Sequence, residues 1–193
     1  SYNGIERIIA LDLGLVNDRT VISLMYWHPD TQEAWLQGVS FYVDERSIVP
    51  RSLIAEVLAD GSADPWIDPD ATRVLDLCTG NGSLAVLAAL AYPEVSVQGL
   101  DISPQALEVA HINVTRHGLT SRITLGLSDG LQQAEGTFDL ILCNPPYVNA
   151  QSMAKLPAEF CAEPALALAG GADGMDFVRT LFQTVLPHMR EHA

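Results

Sequence analysis

The segment Asn144-Pro145-Pro146-Tyr147 contains the residues best suited to chemistry in this sequence. It follows an apolar run, and neither proline has an N–H that could continue a sheet. The backbone of Asn144 is held extended because a proline follows it. The Asn144 side-chain oxygen and the Pro145 carbonyl then form two fixed acceptors, which suit a planar –NH₂ group with its two donors. Tyr147 offers a flat face for stacking. We interpret these four residues as candidate catalytic residues, the alternative being a turn that only ends a strand.

A second candidate site is the glycine-containing segment of residues 76–82, between an apolar run and a helical pattern. Two glycines allow a tight turn and a close approach of the backbone to a ligand. Amide groups at the start of the following helix favour an anionic group such as a carboxylate. Nucleotide, flavin and adenosyl binders share this pattern, so it is unspecific by itself. The candidate cofactor-binding residues here are Asp76, Cys78, Thr79, Gly80, Asn81 and Gly82.

Acidic residues end the next two apolar runs. Asp101 lies 19 residues after Gly82, where a carboxylate can accept both hydroxyls of a ribose. Its alternative role is an interaction with the dipole of the next helix. Asp129 has two alternative roles: its carboxylate accepts from the exocyclic amine of an adenine, or it belongs to an ordinary turn. The set of candidate cofactor-binding residues is completed by Asp101, Ile102, Asp129 and Asn144.

Alternating strand and helix patterns place these segments together. Strands are predicted at 73–78, 95–101, 122–129 and 138–144, with helices at 81–93, 103–118 and 174–193. This alternation predicts an α/β fold with a parallel, doubly wound sheet. Ligands of such sheets bind at the carboxyl ends of the strands, where all the candidate segments lie. Such a sheet normally has further strands, and since the last helix extends to residue 193, we expect the C-terminal strands to be missing from this sequence.

The sequence before residue 73 is less regular. Residues 1–35 give no clear pattern, whereas two β-rich runs around Asp44–Arg46 predict a hairpin within 39–51. A helix follows Ser52, and a linker rich in Gly, Pro and Asp follows the helix. We therefore expect an N-terminal region at 1–35, a hairpin, helix and linker at 36–70, and a larger domain at 71–193. Arg51 suits either an anchor between these parts or a substrate contact.

The composition of the chain limits the classes of protein to which it can belong. Hydrophobic residues make up 48% of the chain and charged residues 18%, which is typical of a globular protein. No apolar run is long enough to cross a membrane and no leader pattern is visible, so a cytoplasmic protein is expected. The formal net charge of −14 disfavours nonspecific DNA binding and fits solubility or a basic partner. Neither the three cysteines nor the five histidines have metal-ligand spacing, so no metal is expected.

The motifs "VLDLCTGNG", "LDIS" and "CNPPYV" together resemble the class I S-adenosylmethionine-dependent methyltransferases that modify amide or amine nitrogens. The flanking segments "FYVDERSIVPRS" and "NPPYVNAQSMAKLPAEFCAEPALALAGGADGMDFVRTL" resemble the HemK-type protein-glutamine N5-methyltransferases. The nearer branch is the PrmB type, which acts on large-subunit ribosomal protein L-three. The release-factor branch carries "PRPxTE" where this chain has "PRSLIAE". The resemblance covers residues 33–187.

The resemblance implies a Rossmann-like doubly wound sheet, preceded by a β-hairpin and a partial N-terminal helical region. It implies S-adenosylmethionine as cofactor, with residues 78–82 along its methionine part and Asp101 on its ribose. Residues 144–147 would hold the amide of a glutamine in a protein of the translation apparatus. The alternatives are methylation of release factors, N6-methylation of DNA adenine, a dehydrogenase using NAD, and an inert cofactor-binding domain.

Overall fold

The computed structural model describes residues 32–156 and 163–190, together with the backbone of residues 8–9 and 25–28. The N-terminal part is an antiparallel sheet of four short strands in the order β1-β2-β3-β4. β3 and β4 are joined by a two-residue turn, Gln37-Gly38, whose φ angles of 51° and 77° are those that a tight hairpin requires. The strands are β1 (Ile8–Ile9), β2 (Met25–His28), β3 (Glu33–Leu36) and β4 (Val39–Tyr42).

One expectation for this region is corrected, and another lies largely outside the described residues. The hairpin turn does not lie at Asp44–Arg46, because the Asp44 side chain accepts from the Arg46 amide at 3.0 Å and makes a local turn instead. The chain then continues without a second strand. The expected N-terminal helical region contains strands at 8–9 and 25–28, and its other residues before 32 lie outside the described part of the chain.

The second sheet matches the predicted doubly wound arrangement. Its four strands are parallel and lie in the order β7-β6-β5-β8, so the strand order reverses between β5 and β8. Two crossover helices connect the first three strands. The elements are β5 (Arg73–Leu77), α2 (Ser83–Ala91), β6 (Ser96–Asp101), α3 (Pro104–Arg116), β7 (Ile123–Leu127) and β8 (Leu140–Cys143).

The remaining helices are short. α1 (Leu53–Ala59) begins after Ser52, whose hydroxyl accepts from the Ile54 amide at 3.2 Å, and a 3-10 turn follows at Asp64–Trp66. The others are α4 (Ala150–Met153), α5 (Ala165–Leu168) and α6 (Asp176–Thr184). None of the helices in the described ranges is long and apolar enough to cross a membrane.

The last predicted helix is shorter than expected. α6 ends at Thr184, and a 3-10 turn containing Pro187 follows at Leu186–His188. Met189 then forms a parallel bridge with Phe138, at the amino end of β8. This single bridge lies where the sequence predicts the last turns of a helix, and the parallel sheet itself has four strands.

Hydrophobic clusters cover both faces of the parallel sheet. On one face, Leu36 and Phe41 of the hairpin share a cluster with α1 and with α2, whose residues 83–89 are all buried. A helix that is apolar on nearly every side is buried on every side. On the other face, Leu75 and Phe138 pack against α6. The hairpin and the parallel sheet thus share one core.

Asn113, in α3, joins three parts of the fold. Its side chain is fully buried and pairs with both backbone groups of Tyr42, accepting from the amide at 2.7 Å and donating to the carbonyl at 3.0 Å. The same amide group donates to the Asn81 carbonyl at 2.8 Å. One side chain therefore connects β4, α3 and the glycine-containing segment.

We expect Asn113→Ala to lower the free energy of unfolding by about 2–4 kcal/mol, because it leaves buried backbone groups of Tyr42 and Asn81 unpaired. His111→Ala, on the exposed side of the same helix, is the matched control and is expected to change it by less than about 0.5 kcal/mol. Urea unfolding measures both. Equal effects of the two substitutions would contradict the joining role of Asn113.

Candidate active site

A cleft of about 870 Å³ lies at the carboxyl ends of the parallel strands. It opens where the strand order reverses, which is where sheets of this type bind ligands. Its volume falls in the range of about 300–1,000 Å³ that is usual for cofactor and substrate sites. Candidate site residues from four separate segments of the sequence line this one cleft. They are Cys78, Gly80, Asp101, Ile102, Asp129, Asn144 and Pro146.

The glycine-containing segment turns through left-handed backbone conformations at Cys78, Gly80 and Gly82, with φ angles of 60°, 56° and 78°. A Cβ on Gly82 would lie 3.1 Å from the Cβ of Ala110, so this glycine allows α3 to pack closely. A Cβ on Gly80 would meet its nearest atom only at 4.0 Å, so its role there is conformational. A left-handed conformation at a residue other than glycine costs about 1–3 kcal/mol and is typical of functional sites.

Asp76 supports the loop from behind and does not line the cleft. Its fully buried carboxylate accepts from the Thr79 hydroxyl at 2.5 Å and from the Ala85 amide at 2.9 Å. Burial raises the pKa of Asp76 to about 7. Asn81 is also buried behind the loop, and its side chain donates to the Ile48 carbonyl at 3.0 Å. Of the predicted cofactor residues, Asp76, Thr79, Asn81 and Gly82 thus shape the loop.

Asp101 is the carboxylate best placed for a ligand. Its two oxygens accept from the amides of Gly80, at 2.8 Å, and Ser103, at 2.9 Å. Each carboxylate oxygen has a further lone pair, so the group can still accept from ligand hydroxyls. Burial raises the pKa of Asp101, and its bonds to backbone amides oppose this shift. Asp129 is exposed at the edge of the same cleft.

The Cys78 thiol, which lines the cleft directly after β5, is neutral. A hydrogen bond with the Cys143 thiol, followed by burial, raises the pKa of Cys78 well above its usual range. The predicted role of these cysteines as small apolar residues fits this environment. In the described ranges, no group of three or more His, Cys, Asp or Glu side chains could hold a metal ion.

The segment 144–147 follows β8. It therefore lies across the point where the strand order reverses from the glycine-containing segment, which follows β5. Asn144 and Pro146 line the cleft, whereas Pro145 is not among the lining residues and Tyr147 is 63% exposed. The backbone is fixed from outside by Val148, whose amide donates to the Leu168 carbonyl at 2.8 Å and whose carbonyl accepts from the Gly170 amide at 2.8 Å. This support involves α5, 20 residues further along the chain, and sequence reasoning did not find it.

Gly170 lies directly against this segment. A Cβ at this position would lie 2.8 Å from the Pro146 carbonyl oxygen and 2.8 Å from the Tyr147 Cα. A Cβ on Gly174 would overlap the Tyr147 carbonyl oxygen. The glycines of "LAGGADG" therefore let one segment of backbone pack directly on another.

Arg51 acts as an anchor. Its guanidinium forms a two-pronged ion pair with Glu163, with distances of 2.8 Å and 2.5 Å, and the same carboxylate accepts from the Val49 amide at 3.3 Å. The Glu163 side chain is 9% exposed, which makes this a largely buried pair. It ties the segment after β4 to the segment before α5. Of the two roles that the sequence left open for Arg51, the contacts favour the anchor.

The segment 44–48 contributes a wall of the cleft that sequence reasoning missed. Arg46, Ser47 and Ile48 all line it, although they precede the parallel sheet. Nothing in their spacing indicates a site. The resemblance of "FYVDERSIVPRS" to a family was the only available signal.

The geometry can be compared with known proteins. The family model described as the methyltransferase small domain matches residues 57–186. The chain belongs to this methyltransferase family.

Curated relatives of this methyltransferase chain carry a more specific name. It is 56% identical over 181 residues to the "Ribosomal protein uL3 glutamine methyltransferase" of Bordetella pertussis, covering 91% of this chain and 59% of that protein. It is 54% identical over 161 residues to the protein of the same name from Burkholderia pseudomallei, covering 78% and 52%. The chain therefore spans between 52% and 59% of the length of these two relatives.

A solved structure supports the fold of this methyltransferase chain. The N-terminal domain of human METTL16 in complex with SAH matches with a TM-score of 0.53 and 16% identity, covering 79% of this chain and 58% of that one. At this identity the likeness concerns the fold alone. The predicted class I methyltransferase fold is confirmed.

The raised pKa of Asp76 predicts a pH effect on stability. The unfolded carboxyl has a pKa near 3.9, so between about pH 4 and pH 7 the folded state keeps a proton that the unfolded state loses. The stabilisation from this group is complete below about pH 4 and is lost as pH rises to about 7. Asp76→Asn removes it, so the loss of unfolding free energy between pH 5 and pH 8 is expected to shrink by about 2–3 kcal/mol. Urea unfolding at several pH values measures this, with the exposed Asp70→Asn as control.

The close contact at Gly170 predicts a steric effect. Gly170→Ala is expected to lower the free energy of unfolding by about 2–3 kcal/mol, since the backbone of Pro146 or Tyr147 has to move. Gly118→Ala is the control, because its Cβ meets nothing within 4 Å and only its left-handed φ of 68° costs energy, about 1 kcal/mol. A smaller effect at Gly170 than at Gly118 in urea unfolding would mean that the contact is easily relaxed.

Proposed function

We propose that this chain is the catalytic part of an S-adenosylmethionine-dependent methyltransferase that modifies the side-chain nitrogen of a glutamine, and that its substrate is ribosomal protein uL3. The observation that carries the proposal is that Asn144 and Pro146 line the same cleft as Gly80 and Asp101. Amide-binding and cofactor-binding groups are thereby neighbours. The names of relatives at 54–56% identity support the choice of substrate.

The residues of the cleft fit S-adenosylmethionine. When bound, this cofactor supplies a methyl group carried on a positively charged sulfur. Asp101 keeps lone pairs for the ribose hydroxyls beyond its bonds to two backbone amides. Asp129, exposed on the cleft wall, would accept from the adenine amine. The segment 78–82 would hold the methionine part, and the neutral thiol of Cys78 adds no competing charge.

Asn144 and Pro145 would prepare the substrate. An amide nitrogen is a poor nucleophile because its lone pair is delocalised into the carbonyl. When the Asn144 side-chain oxygen and the Pro145 carbonyl each accept one N–H, electron density shifts onto the nitrogen and its direction is fixed. Orientation of this kind can supply about 7–11 kcal/mol of a barrier. Transfer of the methyl group would leave S-adenosylhomocysteine, and the methylated nitrogen would then lose its proton to water, so no dedicated base is required.

The surroundings favour a protein substrate. Tyr147 is 63% exposed, so its ring is accessible for stacking on the planar amide. The formal net charge of −14 opposes the approach of a nucleic acid and favours a basic protein. We therefore favour a soluble, basic partner over DNA.

We expect Asn144→Ala to reduce methyl transfer about 10²–10³-fold, because the substrate amide loses one of its two oriented acceptors. The measurement is transfer of labelled methyl from S-adenosylmethionine to purified uL3 by the 193-residue chain. Gln183→Ala removes an exposed amide on α6 that does not line the cleft, and is expected to retain wild-type rates.

The other outcomes separate the alternatives. Label in release factors instead of uL3 would keep the reaction and change the substrate branch. Label in DNA would overturn the choice of a protein substrate. Cofactor binding by the wild-type chain without any transfer would support an inert cofactor-binding domain.

A further inference from the structure

Ser47 has a buried hydroxyl for which the fold provides no partner. The residue is 4% exposed and lines the cleft, and its Oγ has no hydrogen-bond partner among the described residues. Buried polar side chains in native proteins are almost always paired, so an exception requires an explanation. Ser128 lines the same cleft and shows the usual situation, since its hydroxyl donates to the Gly130 carbonyl at 2.7 Å and accepts from the Gln133 amide at 3.1 Å.

Contacts on both sides hold Ser47 in place. On its amino side, the Arg46 guanidinium bonds both to Asp44, at 2.6 Å, and to Glu108 of α3, at 2.7 Å. On its carboxyl side, the Ile48 carbonyl accepts from the Asn81 side chain at 3.0 Å. The backbone of Ser47 is therefore fixed at the cleft wall.

The same contacts indicate which ligand group it meets. Asn81 belongs to the glycine-containing segment, so the Ile48 contact places Ser47 next to that segment. In the proposed function this segment holds the methionine part of the cofactor. The Arg46 charge is already balanced by two carboxylates, so this wall has no unpaired cation that would bind an anion by itself. An O–H donor can then supply the missing contact to an oxygen acceptor.

We propose that Ser47 is a cofactor-binding residue whose hydroxyl donates a hydrogen bond to the carboxylate of the methionine part of S-adenosylmethionine. This rests on the proposed function and extends it to a residue outside the parallel sheet. The segment 44–48 then has two roles. Its bonds to α3 and to Asn81 hold the N-terminal part of the fold in place, and Ser47 provides one hydrogen-bond donor of the cofactor site.

Ser47→Ala tests the proposal through two readouts that move in different directions. The ligand-free variant is expected to be as stable as the wild type or more stable, because an unpartnered hydroxyl is removed. The dissociation constant for S-adenosylhomocysteine is expected to rise about tenfold, because a hydrogen bond to a charged group is lost. Calorimetric titration and thermal unfolding of the 193-residue chain measure both.

Two further variants serve as controls. Ser47→Thr keeps the hydroxyl and is expected to retain most of the affinity for S-adenosylhomocysteine. Ser128→Ala removes a buried hydroxyl that is already paired, and is expected to lower the stability of the ligand-free chain. A loss of ligand-free stability in Ser47→Ala similar to that in Ser128→Ala would overturn the proposal, because it would show a structural partner for Ser47.

A second ligand identifies the bonded group. 5′-Methylthioadenosine has the adenine and ribose but lacks the amino-acid carboxylate, so Ser47→Ala is expected to leave its affinity unchanged. Equal weakening of both ligands would overturn the carboxylate contact, and so would unchanged binding of both. If the wild-type chain binds neither ligand, the proposed function fails together with this contact, whereas wild-type binding that Ser47→Ala does not alter removes only the contact.

Discussion

The buried carboxylate of Asp76 is the constraint on which the cleft depends. It lies one residue before the end of the central strand β5, and one of its oxygens accepts from both the Thr79 hydroxyl and the Ala85 amide in the first turn of α2. These bonds close the turn between strand and helix and allow its left-handed residues to be held in place. The cost is a carboxyl group in an apolar environment, which is why its pKa is raised to about 7. The loop is thus rigid because a charge-bearing group has been buried beneath it.

Rigid contacts extend from this loop to the rest of the molecule. Asn81 bonds to Ile48 and to Asn113, and the latter bonds to the backbone of β4. The N-terminal sheet is therefore connected to the cleft by buried and partly buried hydrogen bonds as well as by a shared core. The ion pair of Arg51 and Glu163 makes a second connection, to the segment before α5. Walls of the cleft that are remote in sequence are consequently fixed relative to one another.

The sequence predicted the parts of the fold that depend on local patterns. The strands and helices of the parallel sheet were found because apolar runs, caps and glycines lie within a few residues of one another. The N-terminal hairpin was placed too late, because the Gln37-Gly38 turn carries a weaker signal than the charged residues 44–46 and the Asp44 side chain makes its own turn there. The end of α6 was missed because the pairing of Met189 with Phe138 is a contact across 51 residues.

The residues of the candidate site divide in the same way, into those that a local pattern predicts and those that depend on contacts with distant segments. Cys78, Gly80, Asp101 and Asn144 were predictable because each follows a recognisable strand, and the fold brings the carboxyl ends of parallel strands together. Gly170 and the wall at 46–48 were not, because their importance lies in what they touch: a Cβ at Gly170 would meet the backbone of Pro146, and Ser47 reaches the cleft only through the docking of the N-terminal sheet. In the proposed reaction the nucleophile is a neutral amide, so precise orientation counts for more than a strong base. A cleft whose walls are fixed by buried bonds from distant segments meets that need.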